Sequence, residues 1–76
     1  MTVGQFGVSM VDVEGQLLRE IADKRMKRDD VALTYAFGIR QHAEVDWPKV
    51  NRAIVDRWSM AALRYIKDRA WKLVAP

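Results

Sequence analysis

The sequence predicts an all-α protein, a small bundle of three or four short helices around a buried central helix at about residues 30–42. The stretch at residues 31–39 (VALTYAFGI) has eight apolar or glycine positions, one threonine and no charge. A helix that is apolar on all sides must be covered by neighbours on several sides. Apolar residues spaced by three and four positions occur both before and after this stretch, which is typical of amphipathic helices packed around a core.

The length of 76 residues is enough for one domain and lies near the lower limit for a core without disulfides or metals. We expect a flexible or extended arm at residues 1–9, which contain two glycines and no helical period, and a single helical domain at residues 10–76. There is no cysteine, and the first ten residues lack the pattern of a signal peptide. We therefore expect a cytoplasmic protein with no membrane span.

The first helix is predicted to begin at Ser9 or Asp12, because either side chain can accept a hydrogen bond from the N–H groups of a first turn. Leu17, Leu18 and Ile21 form its apolar stripe. A basic cluster at the end of this helix (KRMKR) matches the negative pole of the helix dipole. The cluster therefore has a structural explanation, and a role in a binding surface is the alternative. Its basic members are Lys24, Arg25, Lys27 and Arg28.

The central helix is predicted to begin at Asp29 or Asp30, which suit a cap and an acidic first turn, and to end at about Gln41 or His42. Gly38 inside it costs about 1 kcal/mol relative to alanine, so we expect a close crossing with a neighbouring helix there. His42 is the only histidine. We interpret it as the end of the helix, with a pH-dependent role as the alternative.

A third helix is predicted to begin at the sequence Asp46-Trp47-Pro48, because aspartate is a good cap and proline in a first turn loses no hydrogen bond. The apolar stripe that follows and the one near the C-terminus point in directions that differ by roughly 120° at 100° per residue. We therefore expect a break near Trp58 and Ser59, with Ser59 capping a fourth helix. The alternative is one long helix that projects beyond the domain and implies a dimer.

The sequence predicts no enzymatic activity. With one histidine and no cysteine, neither a Cys/His pair nor a cluster of histidine ligands can form within one chain. Both serines, Ser9 and Ser59, are explained as helix caps, and the four glycines match no phosphate-binding loop. We expect no cofactor and no metal site.

Positive charge is concentrated late in the chain. Residues 1–46 carry six basic and eight acidic side chains, a net charge of −2, whereas residues 47–76 carry seven basic and two acidic ones, a net charge of +5. Such asymmetry indicates an anionic partner, either nucleic acid or an acidic protein surface. A solvated surface without a partner is the alternative.

The last predicted helix carries the centre of the candidate site. On a helical wheel, Arg64, Lys67 and Trp71 fall on one flank, which places an aromatic ring within a basic stripe. Cations neutralise phosphates and a ring can stack on bases, so DNA is the leading predicted ligand of a non-enzymatic accessory or regulatory protein. The predicted nucleic-acid or partner-binding residues are Lys49, Arg52, Arg57, Arg64, Lys67, Trp71 and Lys72.

A protein-interaction module, such as an adaptor, an inhibitor or a homodimer, is the alternative function. Tryptophan, tyrosine and arginine are frequent anchors of protein interfaces. The predicted anchors are Trp58, Met60 and Tyr65, together with Trp71. A structural role, in which Trp71 folds back over the edge of the core, is the third interpretation.

Overall fold

A computed structural model describes residues 12–75, and these form four α-helices. The helices are α1 (Val13–Ala22), α2 (Arg28–Arg40), α3 (Trp47–Arg57) and α4 (Met60–Val74). The predicted all-α fold is confirmed, since the described part of the chain contains helices and turns but no strand. None of these helices has the length and hydropathy that crossing a membrane requires. The predicted arm at residues 1–9, which includes the alternative cap Ser9, lies outside the described residues.

Helix α1 begins at the second of its two predicted start positions. The Asp12 side chain accepts a hydrogen bond from the N–H of Gly15 at 2.8 Å. The helix ends at Ala22, so the basic cluster follows the helix instead of forming its last turn. Lys27 and Arg28 lie at the start of α2, where the helix dipole disfavours a cation. The predicted match between the cluster and the dipole of α1 is therefore wrong for these two residues.

Helix α2 begins at Arg28, one or two residues earlier than predicted, and the Asp30 side chain caps it from within the first turn. Its carboxylate accepts a hydrogen bond from the backbone N–H of Lys27 at 2.9 Å. Asp29 and Asp30 therefore lie in the first turn, where they still favour the positive pole of the helix. The cap position itself belongs to Lys27, whose side chain has no oxygen to offer.

The end of α2 is a Schellman motif with a histidine in the position that usually holds glycine. His42 has a φ of 53°, and its N–H donates to the carbonyl oxygen of Ile39 at 3.1 Å. The N–H of Ala43 donates to the carbonyl oxygen of Gly38 at 3.0 Å. These two bonds satisfy carbonyl groups that the end of a helix leaves free. The prediction that the helix ends at about Gln41 or His42 is confirmed.

Helix α2 is central to the bundle, but the other helices of the described part leave its outer face uncovered. It packs most extensively against α4 and also against α1, while α3 contacts both α1 and α4. The helix is therefore covered on several sides, as predicted, but Leu33 and Phe37 on its outer face remain 59% and 43% exposed. The core of the bundle consists of Val13, Leu17, Ile21, Val31, Ala32, Tyr35, Ala36, Val50, Ile54, Leu63, Ile66 and Ala70.

The close crossing predicted at Gly38 is confirmed. A Cβ atom at this buried position would lie 3.1 Å from Val13 Cγ1 and 3.1 Å from Trp47 Cη2. Trp47 also packs against Tyr35, with ring centroids 4.6 Å apart. The missing side chain therefore allows the first residues of α1 and α3 to approach α2 together.

Residues 46–74 form two helices, as predicted. Asp46 accepts a hydrogen bond from the N–H of Lys49 at 3.2 Å, and Pro48 lies in the first turn of α3. The helix ends at Arg57, with Trp58 as its C-cap, and Ser59 then caps α4 by accepting a hydrogen bond from the N–H of Ala62 at 3.1 Å. The change in direction of the apolar stripe therefore marked a true break.

Candidate nucleic-acid interface

One flank of α4 brings together the predicted residues Arg64, Lys67 and Trp71, with Met60 in line. Spacings of four, three and four keep these side chains on one side of a helix. All four residues are exposed, and Trp71 and Met60 are each 54% accessible to solvent. Within residues 12–75, none of these side chains has a hydrogen bond or an ion pair. We call Met60, Arg64, Lys67 and Trp71 the α4 flank.

The opposite side of α4 makes polar contacts with α2. The Tyr65 hydroxyl donates a hydrogen bond to Asp29 Oδ1 at 2.6 Å, and Arg69 Nε lies 3.7 Å from the same oxygen. The guanidinium of Arg28 lies over the Tyr65 ring, 5.7 Å from its centroid. The Asp29 carboxylate that accepts this hydrogen bond raises the pKa of Tyr65. Tyr65, a predicted interface anchor, therefore contributes to a contact inside the protein although it is 45% exposed.

Arg57 has a structural role that the sequence analysis missed. Its Nη1 atom donates to the carbonyl oxygens of Ile21 and Asp23 at 3.0 Å and of Met26 at 3.3 Å. Its Nη2 atom donates to the carbonyl oxygen of Lys24 at 3.3 Å. These carbonyl groups end α1 and form the linker to α2, so the guanidinium caps that segment. We therefore leave Arg57 out of the proposed binding set.

Trp58 is a second predicted residue that the fold uses. It is partly buried against the core, and the guanidinium of Arg57 lies over its ring at 4.2 Å from the centroid. Such a cation–π contact helps to hold the arginine in place. Leu18 and Ala53 line an open groove beside it, between α1 and α3. The structure therefore places Trp58 away from the α4 flank and in a packing role.

The other predicted cations do not join the α4 flank. Lys49 Nζ lies 3.6 Å from Glu14 Oε2 and links α3 to α1. Lys72 Nζ lies 3.2 Å from Asp68 Oδ2, and both side chains are at least 70% exposed, so this pair contributes little stability and dissociates easily. Arg52 is exposed on α3 and has no ion pair with any other residue in the described part. These three residues add to the local positive field without being part of the stripe.

A buried carboxylate between α1 and α2 is a further feature that the sequence analysis did not find. Glu20 is only 9% exposed, and its Oε2 accepts hydrogen bonds from Gln16 Nε2 at 2.8 Å and from Thr34 Oγ1 at 2.9 Å. Its Oε1 has no hydrogen-bond partner among the described residues. No group of three metal-ligating side chains suited to an ion occurs within residues 12–75. We interpret Glu20 as a part of the packing between the two helices.

Within residues 12–75, these features define a bundle of four helices with an exposed cationic and aromatic flank on α4. Comparison with known proteins adds no relative: no family model fits the sequence, no curated protein matches it, and no solved structure matches it.

Proposed function

We propose that this protein is a non-enzymatic nucleic-acid-binding protein that contacts DNA through the α4 flank, as an accessory or regulatory factor. The observation that carries the proposal is the line formed by Arg64, Lys67 and Trp71. Two cations and an indole ring are exposed side by side and have no polar partner within residues 12–75.

The geometry of the flank suits a phosphate backbone. Arg64 and Trp71 are seven positions apart, about 10 Å along the helix axis at 1.5 Å per residue. A guanidinium and an ammonium can each contact a phosphate, which releases condensed counterions. The Trp71 ring can stack on an unpaired base or contact the sugars. Because Ala62, Ile66 and Ala70 bury the core side of α4, the helix can present this flank without unfolding.

The surrounding charge supports the same proposal. Residues 47–76 carry a net charge of +5, and Lys72 and Arg52 are exposed. A field of one sign raises the rate at which an anionic polymer meets the surface. The solvent-exposed pair of Lys72 with Asp68 adds little resistance to such an encounter.

Fluorescence anisotropy with labelled duplex and single-stranded DNA tests the proposal, as a titration repeated at several salt concentrations. We expect binding that weakens steeply as salt rises. Replacing Arg64 and Lys67 together by alanine should weaken binding at least tenfold and lower the slope of log K against log salt by about 2.

The matched control removes two cations from the opposite half of the chain. Arg19 and Arg25 are exposed residues in and after α1, and their joint replacement by alanine lowers the net charge by the same amount. This variant should keep affinity to within about threefold. Equal losses in both double variants, or no binding of either DNA at about 50 mM salt, would contradict the proposal.

A protein partner with an acidic surface is the second candidate ligand. It is favoured by the exposure of Met60 and Trp71, each 54%. Large apolar side chains often anchor protein interfaces, whereas they are less often used to contact phosphates. In this case Trp71→Ala should weaken binding more than Lys67→Ala does. A partner recovered equally well after nuclease treatment would favour this candidate over DNA.

A further inference from the structure

The outer face of α2 carries apolar side chains that none of the other three described helices covers. Leu33 and Phe37 are 59% and 43% exposed, and a spacing of four places them next to each other on the helix surface. Asp30 lies before them and Arg40 after them, toward the same outer side of the helix. We call Asp30, Leu33, Phe37 and Arg40 the α2 outer face.

The residue order of this face is self-complementary. Leu33 and Phe37 lie two positions before and after Tyr35, and Asp30 and Arg40 lie five positions before and after it. If a second copy of α2 runs antiparallel across this point, each Leu33 meets the partner's Phe37. Each Asp30 then meets the partner's Arg40. A two-fold interface requires this kind of match, in which one surface patch complements itself.

Both charged residues keep atoms available for such a contact. Asp30 uses Oδ2 to accept from the backbone N–H of Lys27, and no hydrogen bond within residues 12–75 occupies its Oδ1. Arg40 uses Nη2 to donate to the carbonyl oxygen of Leu73 at 3.0 Å, and its Nε and Nη1 have no bond within the same residues. The bond to Leu73 also fixes the arginine at the C-terminal end of the face.

We propose that a second copy of this chain docks on the α2 outer face and forms a two-fold symmetric homodimer. The order of charges favours a second copy as the partner. Because the face has an acidic residue at one end and a basic residue at the other, it is complementary to the same face in the antiparallel orientation. Helix α2 has 13 residues and is therefore about 20 Å long. One helix face buries less than the roughly 800 Å² per partner of a standard stable interface, so the dimer is weak and forms as concentration rises.

The proposal is independent of DNA binding. The α4 flank and the α2 outer face lie on different helices and share no residue. Association can therefore be measured on the protein alone, by sedimentation velocity over a series of concentrations up to about millimolar.

Apolar contact is tested first. The wild-type protein should shift from monomer toward dimer as concentration rises, and Phe37→Asp should stay monomeric throughout. Met60→Asp is the matched control, because it places the same charge at an exposed apolar residue on α4, and it should dimerise like the wild type. A wild-type protein that stays monomeric, or a dimer that persists in Phe37→Asp, overturns the proposal.

Charge exchange then tests the antiparallel arrangement. Asp30→Lys alone and Arg40→Glu alone should each weaken the dimer at least tenfold, because like charges meet at both ends. An equimolar mixture of these two variants should form a heterodimer, since every pair across it is again of opposite sign. The variant with both changes should form a homodimer.

These variants remain informative even if one is less stable. Asp30→Lys removes the bond to the N–H of Lys27, so circular dichroism must show that it is folded at the temperature used. The variant with both changes loses the same bond and should still recover the dimer. If neither the mixture nor the doubly changed variant associates better than the single variants, the antiparallel pairing is wrong.

Discussion

Arg57 donates a hydrogen bond from Nη1 to the carbonyl oxygen of Ile21 at 3.0 Å, between positions 36 residues apart. The same guanidinium reaches the carbonyl oxygens of three residues in the linker that follows α1. One side chain at the end of α3 thus satisfies the free carbonyl groups at the end of α1. Charge-assisted hydrogen bonds from Arg57 therefore join the C-terminal ends of α1 and α3. These bonds act together with the apolar packing between the two helices.

Replacing Arg57 by alanine is expected to lower the free energy of unfolding by about 2 kcal/mol, because hydrogen bonds to a charged donor are among the stronger ones. Arg57→Lys should lose roughly half as much, since an ammonium keeps the charge but cannot fork between several acceptors. Denaturant unfolding followed by circular dichroism measures both values. A loss below about 0.5 kcal/mol in Arg57→Ala would show that water replaces the guanidinium at little cost.

The hydrogen bond from Thr34 to Glu20 is expected to stabilise the contact between α1 and α2. Thr34→Val keeps the shape of the side chain and removes the donor, so the buried carboxylate loses one of its two hydrogen bonds. We expect a loss of about 1–2 kcal/mol in unfolding free energy. In a Glu20→Met background the same change should cost much less, because no carboxylate remains to be satisfied. Additive effects in this double-mutant cycle would contradict the assigned interaction.

Several helix ends could be predicted from the sequence because capping is a local property. Asp46 and Ser59 cap α3 and α4 through backbone N–H groups three residues ahead, so the pattern is visible within one turn. The start of α2 was less predictable, since Asp29 and Asp30 both suit a cap and only the structure shows that the helix begins before them. The solvent exposure of Leu33 could not be predicted from the sequence, because it depends on where the other helices lie in the fold.

The candidate site was predictable to a similar extent. The alignment of Arg64, Lys67 and Trp71 follows from helical periodicity once the start of α4 is known. The engagement of Arg57 does not, because its acceptors lie more than 30 positions away in the sequence. Counting basic residues therefore predicted a candidate site in the C-terminal half of the chain but included Arg57, a cation that the fold itself uses.

His42→Gly is expected to stabilise the protein. His42 adopts a φ of 53°, a left-handed conformation that costs a residue with a Cβ roughly 1 kcal/mol and costs glycine almost nothing. Part of this gain is offset by the greater freedom of glycine in the unfolded chain, which leaves a net gain of about 0.5 kcal/mol. His42→Ala is the control and should not stabilise. A thermal melt in which the alanine variant gains as much as the glycine variant would exclude the conformational explanation.

The stability of the protein is expected to fall in alkaline solution through Tyr35. This residue is 4% exposed, and burial raises the pKa of its hydroxyl above the usual value of 10.0, although the hydrogen bond to Asn51 at 2.7 Å opposes this. A raised pKa in the folded state means that the unfolded state loses its proton first. The contribution of the protonated Tyr35 to the free energy of unfolding is therefore complete below about pH 10, and it decreases as the pH rises through the raised pKa.

Tyr35→Phe should remove this part of the loss of stability at alkaline pH. At neutral pH the same change should lower the free energy of unfolding by about 1 kcal/mol, because the hydrogen bond to Asn51 is lost. Tyr65→Phe is measured beside it, because the hydrogen bond to Asp29 also raises the pKa of Tyr65 in the folded state and its share of the alkaline loss of stability must be separated from that of Tyr35. Denaturant unfolding at several pH values measures both variants. If Tyr35→Phe and the wild type lose stability in parallel above about pH 10, the alkaline effect has another origin.

Trp71 is expected to dominate the response of the protein to quenchers and to DNA. It is 54% exposed, whereas Trp47 and Trp58 are partly buried against the core. Acrylamide should therefore quench the wild type more than Trp71→Phe, and Trp58→Phe should resemble the wild type. Because stacking on a base quenches indole emission, single-stranded DNA should reduce the fluorescence of the wild type and of Trp58→Phe but not that of Trp71→Phe. If Trp71→Phe responds to DNA as strongly as the wild type, the ring does not contact the bases and the binding, if present, uses the cations alone.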